Sequence, residues 1–95
     1  MQLHELKTDP ELFDDAYYGE RTFEVRFNDR NFQTRDILWL RRTQYTGEQM
    51  RSGSPLIYCG RSITAIVISV SSGGYGLKEG WCILGIKIIN KTDAY

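Results

Sequence analysis

Polar and apolar residues alternate over much of the chain with the two-residue period that is typical of half-buried β-strands. The alternation predicts a first strand over residues 1–7 and a second over 21–27. Residues 37–40 are apolar on both faces, which favours a central strand. A β-branched run over 63–70 and a closing run over 81–89 predict two more, and 56–59 is a shorter apolar run.

One short helix is expected at Pro10–Tyr18. Asp9 is a candidate N-cap, and Pro10 suits the first helical position. An apolar stripe made by Leu12, Phe13, Ala16 and Tyr17 follows the helical period. Gly19 is a suitable residue to end the helix. The acidic residues of this segment therefore form a solvated outer face.

Three segments are expected to lack regular structure. Residues 45–55 contain Thr46, two glycines and Pro55 and predict a long loop, and loops of this length are often functional. Residues 71–76 are small and flexible, and residues 90–95 form a flexible tail.

These elements predict an α+β, mainly β fold: a small barrel of five to six strands with one short N-terminal helix, in a single domain over residues 1–95. Curling such a short sheet into a barrel removes its exposed edges. The strand patterns predict a buried set consisting of Phe23, Val25, Ile37, Leu38, Leu40, Ile66, Ile68, Leu84 and Ile86.

Composition narrows the class of protein. No apolar run approaches the ~20 residues of a membrane span, and no signal peptide is evident, so a cytoplasmic domain with no membrane partner is expected. Cys59 and Cys82 lack metal-ligand spacing and are expected to be buried thiols. Neither a metal nor a cofactor is expected. The oligomeric state is not determined by the sequence, and a monomer is the expectation.

Charge is distributed unevenly, although the net charge is zero. Residues 1–20 carry −5, whereas residues 21–61 carry +4 and contain all eight arginines. The planar guanidinium suits phosphates and base edges better than lysine does. Arginines that only decorate an exposed β-surface explain the pattern equally well.

The strand over 21–27 places two kinds of side chain on opposite faces. Phe23, Val25 and Phe27 point one way, with the stem of Arg21, while Thr22, Glu24 and Arg26 point the other way. A solvated strand face with a weak surface ion pair is one interpretation. A binding site built on Glu24 and Arg26 is the other.

The segment Gly19-x-Arg21-x-x-Glu24-x-Arg26 resembles the motif of the ASCH domains, small β-barrels related to the PUA fold. Three further blocks strengthen the resemblance: residues 4–7, residues 28–38 with Asn28-Asp29-Arg30, and residues 76–86. Together they resemble a short bacterial and phage branch described as a domain of unknown function. Arg35 departs from the pattern, because relatives usually carry glycine there.

The resemblance implies binding of RNA or a nucleotide in a cleft beneath the helix. Arg21, Glu24 and Arg26 would line this cleft, with Thr22 and Arg30 near. His4 is either another cleft residue or a strand residue bonded to a backbone carbonyl. Candidates for stacking on a base are Tyr17, Tyr18 and Tyr75, for which core packing is the simpler interpretation.

Two alternatives remain open. Some short ASCH-like proteins hydrolyse N4-acylated cytidines with a Lys, a Thr and a Glu, but Arg21 and Glu24 stand at the Lys and Thr positions here. Arginine is a poor base, so Glu24 would have to activate a water. The second alternative is a phage or prophage accessory protein that binds a host protein.

Overall fold

A computed structural model describes residues 1–74 and 76–93 of the chain. In chain order its elements are β1 (Leu3–Thr8), α1 (Pro10–Tyr17), β2 (Phe23–Phe27), β3 (Ile37–Thr43), α2 (Gly47–Arg51), β4 (Tyr58–Ser72) and β5 (Trp81–Asp93). The fold is thus mainly β with short helices, and the expected fold class is confirmed. The helix α1 also confirms the prediction to within one residue.

The five strands form one sheet in the order β1-β3-β4-β5-β2. β1 pairs with β3 in parallel, and the remaining neighbours pair antiparallel. β1 and β2 are therefore the two edge strands. They nevertheless come close to each other, because Arg26 of β2 donates a hydrogen bond to the carbonyl oxygen of Lys7 in β1. The sheet is curled into a partly closed barrel whose open side lies between β1 and β2.

The core fills the concave side of this sheet. Its fully buried members include Phe13 and Ala16 of α1, which cover the concave face, and Leu38, Leu40, Ile63, Val67, Cys82 and Leu84 of the strands. α1 packs mainly on β3. Four of the residues predicted to be buried, namely Leu38, Leu40, Leu84 and Ile86, are confirmed.

The predicted orientation of β2 is wrong. Phe23 and Val25 are 46% and 43% exposed, whereas Glu24 is only 2% exposed. Register explains the inversion, because Glu24 pairs with Leu84 and Arg26 with Cys82, and residues directly opposite each other share a face of the sheet. Since Leu84 and Cys82 lie in the core, the charged residues of β2 point inward and the apolar ones outward.

Ile68 is the other clear error in the predicted core, since it is 60% exposed. It lies where the register between β4 and β5 shifts, between Val67 and Ser69. A bulge of this kind changes the side to which a residue points. Ile37 and Ile66, which pair with each other across β3 and β4, are half-buried.

Parts of all three segments expected to be irregular are ordered, including Ser71 and Ser72, which end β4. Residues 47–51 form α2 within the predicted loop. Residues 90–93 continue β5, where Asn90 to Asp93 pair with Thr64 to Arg61 of β4, so the predicted tail is wrong over these residues. Ala94 and Tyr95 lie outside the described residues.

Candidate functional site

A cleft of about 620 Å³ opens between β1, β2 and α2, on the open side of the barrel. Basic, acidic, aromatic and aliphatic side chains all contribute to its wall. The lining residues used below are Lys7, Thr8, Asp9, Glu24, Arg26, Phe27, Asp29, Arg30, Glu48, Arg51 and Trp81. The volume falls within the roughly 300–1,000 Å³ that is usual for small-molecule sites.

Glu24 is the most deeply buried charged group of the cleft. Its Oε1 accepts a hydrogen bond from Nη2 of Arg21 at 3.0 Å, and its Oε2 lies 3.4 Å from Nε of Arg26. The side chain of Arg21 is 10% exposed and that of Arg26 is 22% exposed. Glu24, Arg21 and Arg26 form a largely buried trio with a net charge of +1, in a cleft whose lining as a whole holds four acidic and four basic residues. The weak surface ion pair is therefore excluded as a description of this strand.

Arg26 and Arg30 bridge the open side of the barrel. Arg26 donates to the carbonyl oxygen of Lys7 at 3.0 Å and to Oγ1 of Thr8 at 3.1 Å. Arg30 donates to the carbonyl oxygen of Glu5 at 2.8 Å. These carbonyls belong to an edge strand, so guanidinium groups occupy acceptors that a further strand would otherwise use.

Arg21 is brought next to Glu24 but lies outside the lining of the cleft. Its guanidinium also donates to the carbonyl oxygens of Leu12 and Phe23, so it ties α1 to β2. Arg21 and the exposed Thr22 instead border a separate apolar depression of about 470 Å³. Arg21 therefore positions Glu24, and its part in the predicted site is indirect.

His4 does not reach the cleft either. The side chain is 6% exposed, and its Nε2 lies 2.9 Å from Oδ2 of Asp36. Its ring contacts Phe32 edge-on with centroids 4.8 Å apart. The partner is a carboxylate, so the expected bond to a backbone carbonyl is replaced by a buried polar pair.

Asp36 anchors the N-terminal strand through three hydrogen bonds. Its carboxylate accepts from the backbone N–H groups of Gln2 and Gln33, each at 3.0 Å, in addition to His4. Burial alone raises the pKa of Asp36, but the hydrogen bonds from His4 and the two amides outweigh it, and the pKa lies below its ordinary value.

The tyrosines proposed for stacking are not in the lining of the cleft. Tyr17 packs against Phe13 and the core. Tyr18 is 67% exposed and contacts Tyr17 edge-on. Tyr75 lies outside the described residues. The aromatic residues of the cleft lining include Phe27 and Trp81, which pair across β2 and β5 and whose rings meet edge-on with centroids 5.9 Å apart.

The wall provided by α2 was missed because the glycines and Pro55 of this segment favoured a loop. A signal was present, since Thr46-x-x-Gln49 is a capping-box sequence. Both bonds of the box form: Gln49 N donates to Oγ1 of Thr46, and Thr46 N donates to Oε1 of Gln49. Asp9, predicted to cap α1, makes no side-chain cap there, and its Oδ1 instead accepts from Gly47 N at 3.0 Å.

The segment of the chain that contains these residues matches a protein family. A family described as a domain of unknown function, DUF3850, matches residues 3–86. The chain belongs to the DUF3850 family. No curated protein matches the chain. The match in this DUF3850 domain covers β1, both helices, the motif strand β2 and all of the cleft residues named above.

Two kinds of feature are absent from the described part of the DUF3850 domain. Within residues 1–74 and 76–93, no group of three or more His, Cys, Asp or Glu side chains is placed to hold a metal ion. Over the same residues, neither helix has the length and apolar character that a bilayer crossing needs.

Proposed function

We propose that this DUF3850 domain is an ASCH-like module that binds RNA or a free nucleotide in the cleft between β1, β2 and α2. The observation that carries the proposal is the buried Glu24 carboxylate, held by Arg21 and Arg26 in the wall of a cleft that Trp81 also lines. Two residues of the motif that carries the ASCH resemblance, Glu24 and Arg26, thus line this cavity, and Arg21 bonds Glu24 from outside the lining.

Each part of the wall matches a chemical feature of a nucleotide. A carboxylate accepts hydrogen bonds from the amino group of a base, and a guanidinium donates to base carbonyls and phosphates. Glu24 uses its oxygens on two arginines, but each carboxylate oxygen has a second acceptor site. The rings of Trp81 and Phe27 offer apolar faces for an unpaired base.

Tryptophan fluorescence provides a direct test because the chain has two tryptophans. Trp81 lines the cleft, whereas Trp39 lies on β3 and stacks with Arg41, 4.7 Å from its ring centroid. In a Trp39→Phe variant the emission reports on the cleft alone. In the matched Trp81→Phe variant the emission comes from Trp39, which lies outside the cleft.

Titration of both variants with nucleosides, nucleotides and short single-stranded RNAs should quench Trp81 and leave Trp39 unchanged. Equal quenching of both tryptophans would indicate non-specific binding. If no compound of these three classes changes either emission and none binds by calorimetry, the proposed function is wrong.

A further inference from the structure

The arginines of this chain differ in whether they have a carboxylate partner. Five of them pair with acids: Arg21 and Arg26 with Glu24, Arg41 with Glu5, Arg42 with Asp14, and Arg61 with Asp93. Among the described residues, Arg30, Arg35 and Arg51 have no acidic group within 4 Å.

Two of these three arginines line the same cavity. Arg30 and Arg51 belong to the cleft, and Arg35 does not. Arg30 uses Nη1 on the carbonyl oxygen of Glu5 and keeps its other N–H donors. The guanidinium of Arg51 makes no hydrogen bond to the described residues, and its Nη1 lies over Gly47, 3.4 Å from where a Cβ would stand. A side chain at residue 47 would therefore crowd this guanidinium.

The lining of the cleft holds four acidic and four basic residues, but none of these acids forms an ion pair with Arg30 or Arg51. Glu24 is already balanced by two arginines, and Oδ1 of Asp9 accepts from the backbone of Gly47. Asp29 and Glu48 are exposed to solvent, as are Arg30 and Arg51, so the fields of all four charges are screened within roughly 10 Å at ordinary ionic strength. Lys7, which is also exposed, adds a further positive charge to the rim.

We propose that Arg30 and Arg51 bind a terminal phosphate, so that the ligand of the cleft is a phosphomonoester: a nucleoside monophosphate or the phosphorylated end of an RNA. The proposal rests on the proposed function, since the base would occupy the part of the cleft near Glu24 and Trp81. A phosphomonoester carries about −1.5 to −2 charges at pH 7 and three acceptor oxygens. It therefore matches two cations with unused donors better than an internal phosphodiester with a single charge does.

Calorimetric titration with the four nucleosides, their 5′-monophosphates and inorganic phosphate tests this assignment. The monophosphate should bind about tenfold or more tightly than its nucleoside, because a hydrogen bond to a charged group is worth at least one factor of ten in affinity. Arg30→Gln and Arg51→Gln should each remove about that factor, so that the monophosphate loses its advantage over the nucleoside. Arg35→Gln, the matched control outside the cleft, should change neither.

Short RNAs with and without a 5′-phosphate distinguish the two sources of the group. Tighter binding of the phosphorylated RNA than of the mononucleotide assigns the phosphate to an RNA end, and the reverse assigns it to a free nucleotide. Equal affinity of nucleosides and monophosphates, together with equal affinity of the two RNAs, overturns the phosphate assignment and leaves the proposed function standing. The phosphate assignment is also overturned, and the proposed function again stands, if Arg35→Gln weakens binding as much as the cleft variants do.

Two further results separate this inference from the proposed function. Inorganic phosphate that binds through Arg30 and Arg51, with no gain from any base, supports the phosphate site and defeats the nucleotide proposal. Absence of binding by phosphate, nucleotides and RNA defeats both. Urea unfolding of Arg30→Gln and Arg51→Gln confirms that each variant is folded under the titration conditions.

Discussion

Arg26 donates a hydrogen bond to the carbonyl oxygen of Lys7 at 3.0 Å and thereby joins the two edge strands of a sheet that otherwise stays open. The same guanidinium lies 3.4 Å from the Glu24 carboxylate. One side chain thus holds the barrel together and forms part of the candidate binding site. A substitution of Arg26 should therefore affect both the stability of the domain and the proposed ligand binding.

Replacing Arg26 by alanine should destabilise the domain measurably. The change removes two hydrogen bonds across the open side and one of the two cations next to a buried carboxylate, and we expect a loss of about 2 kcal/mol in the free energy of unfolding. Urea denaturation provides the measurement. Arg35→Ala, at an exposed arginine with no acidic partner among the described residues, should change stability by less than about 0.5 kcal/mol. Equal effects of the two variants would contradict the bridging role.

A second prediction concerns the backbone at Arg35, where φ is +73°. This left-handed conformation is unfavourable for residues with a Cβ, and glycine adopts it without strain. Arg35→Gly should therefore stabilise the domain by roughly 0.5–1 kcal/mol, after the greater flexibility of glycine in the unfolded chain is included. Asn31→Gly is the comparison, because Asn31 has φ of +51° but asparagine tolerates this region. A loss of stability in Arg35→Gly would show that its side chain contributes more than the strain costs.

The sequence was sufficient for the fold class, α1 and the central strand because each has a regular local pattern. It was insufficient for the orientation of β2, since alternation defines two faces without saying which one is buried. That choice is made by the pairing of Glu24 with Leu84 and by Arg21, which lies outside β2 and bonds both Glu24 and the carbonyl oxygen of Leu12 in α1. The usual assumption that Phe23 and Val25 point inward therefore failed.

The candidate site was predicted in part for a related reason. Glu24, Arg26 and Arg30 were found because they belong to one contiguous motif. Trp81 and Arg51 come from segments far apart in the chain that meet only in the folded barrel. The wall made by α2 could have been partly anticipated from the Thr46 and Gln49 capping box, whereas its position against β1 depends on the long-range bond from Gly47 to Asp9.

Asp36 should make stability depend on pH in the acidic range. The folded pKa lies below the ordinary value of 3.8, so the unfolded chain takes up the proton first as the pH falls. The contribution of Asp36 is thus complete above pH 3.8 and is lost as the pH falls through the folded pKa. Asp36→Asn should lose about 2 kcal/mol at pH 6, and the gap to the wild type should narrow near pH 3.

Chemical denaturation at both pH values measures this gap. Asp29→Asn is the control, because Asp29 is exposed and its carboxylate makes no bond within the described residues. A gap between wild type and Asp36→Asn that stays constant with pH would mean that the three hydrogen bonds to Asp36 do not depend on its charge.

We expect no hydrolysis of N4-acetylcytidine by the wild type. Both oxygens of Glu24 face arginines, and Arg21, which the proposed ASCH resemblance aligns with a lysine of the ASCH-like hydrolases, donates hydrogen bonds and cannot serve as a base. A chromatographic assay for released cytidine checks this expectation. Turnover by the wild type that disappears in a folded Glu24→Gln variant would replace the binding proposal with the amidohydrolase alternative.

The last prediction concerns which arginines meet the phosphates of an RNA. Arg41 and Arg42 are consecutive in β3 and so point to opposite faces, where they pair with Glu5 at 2.7 Å and with Asp14 at 2.9 Å. Arg41 is also stacked on Tyr58, 3.6 Å from the ring centroid. Neither has a guanidinium available without breaking an ion pair, whereas Arg30 and Arg51 have no acidic partner among the described residues.

The affinity for single-stranded RNA should fall as salt rises, with a log–log slope of about −0.7 for each phosphate neutralised. Replacing Arg30 and Arg51 together by glutamine should make the slope shallower by about 0.7, because both arginines are assigned to one phosphate, while the matched pair Arg41→Gln and Arg42→Gln should leave it unchanged. Fluorescence anisotropy of a labelled RNA across a salt series gives both slopes. A slope that responds to the β3 pair and not to the cleft pair would place the RNA on the outer surface of the sheet and contradict binding in the cleft.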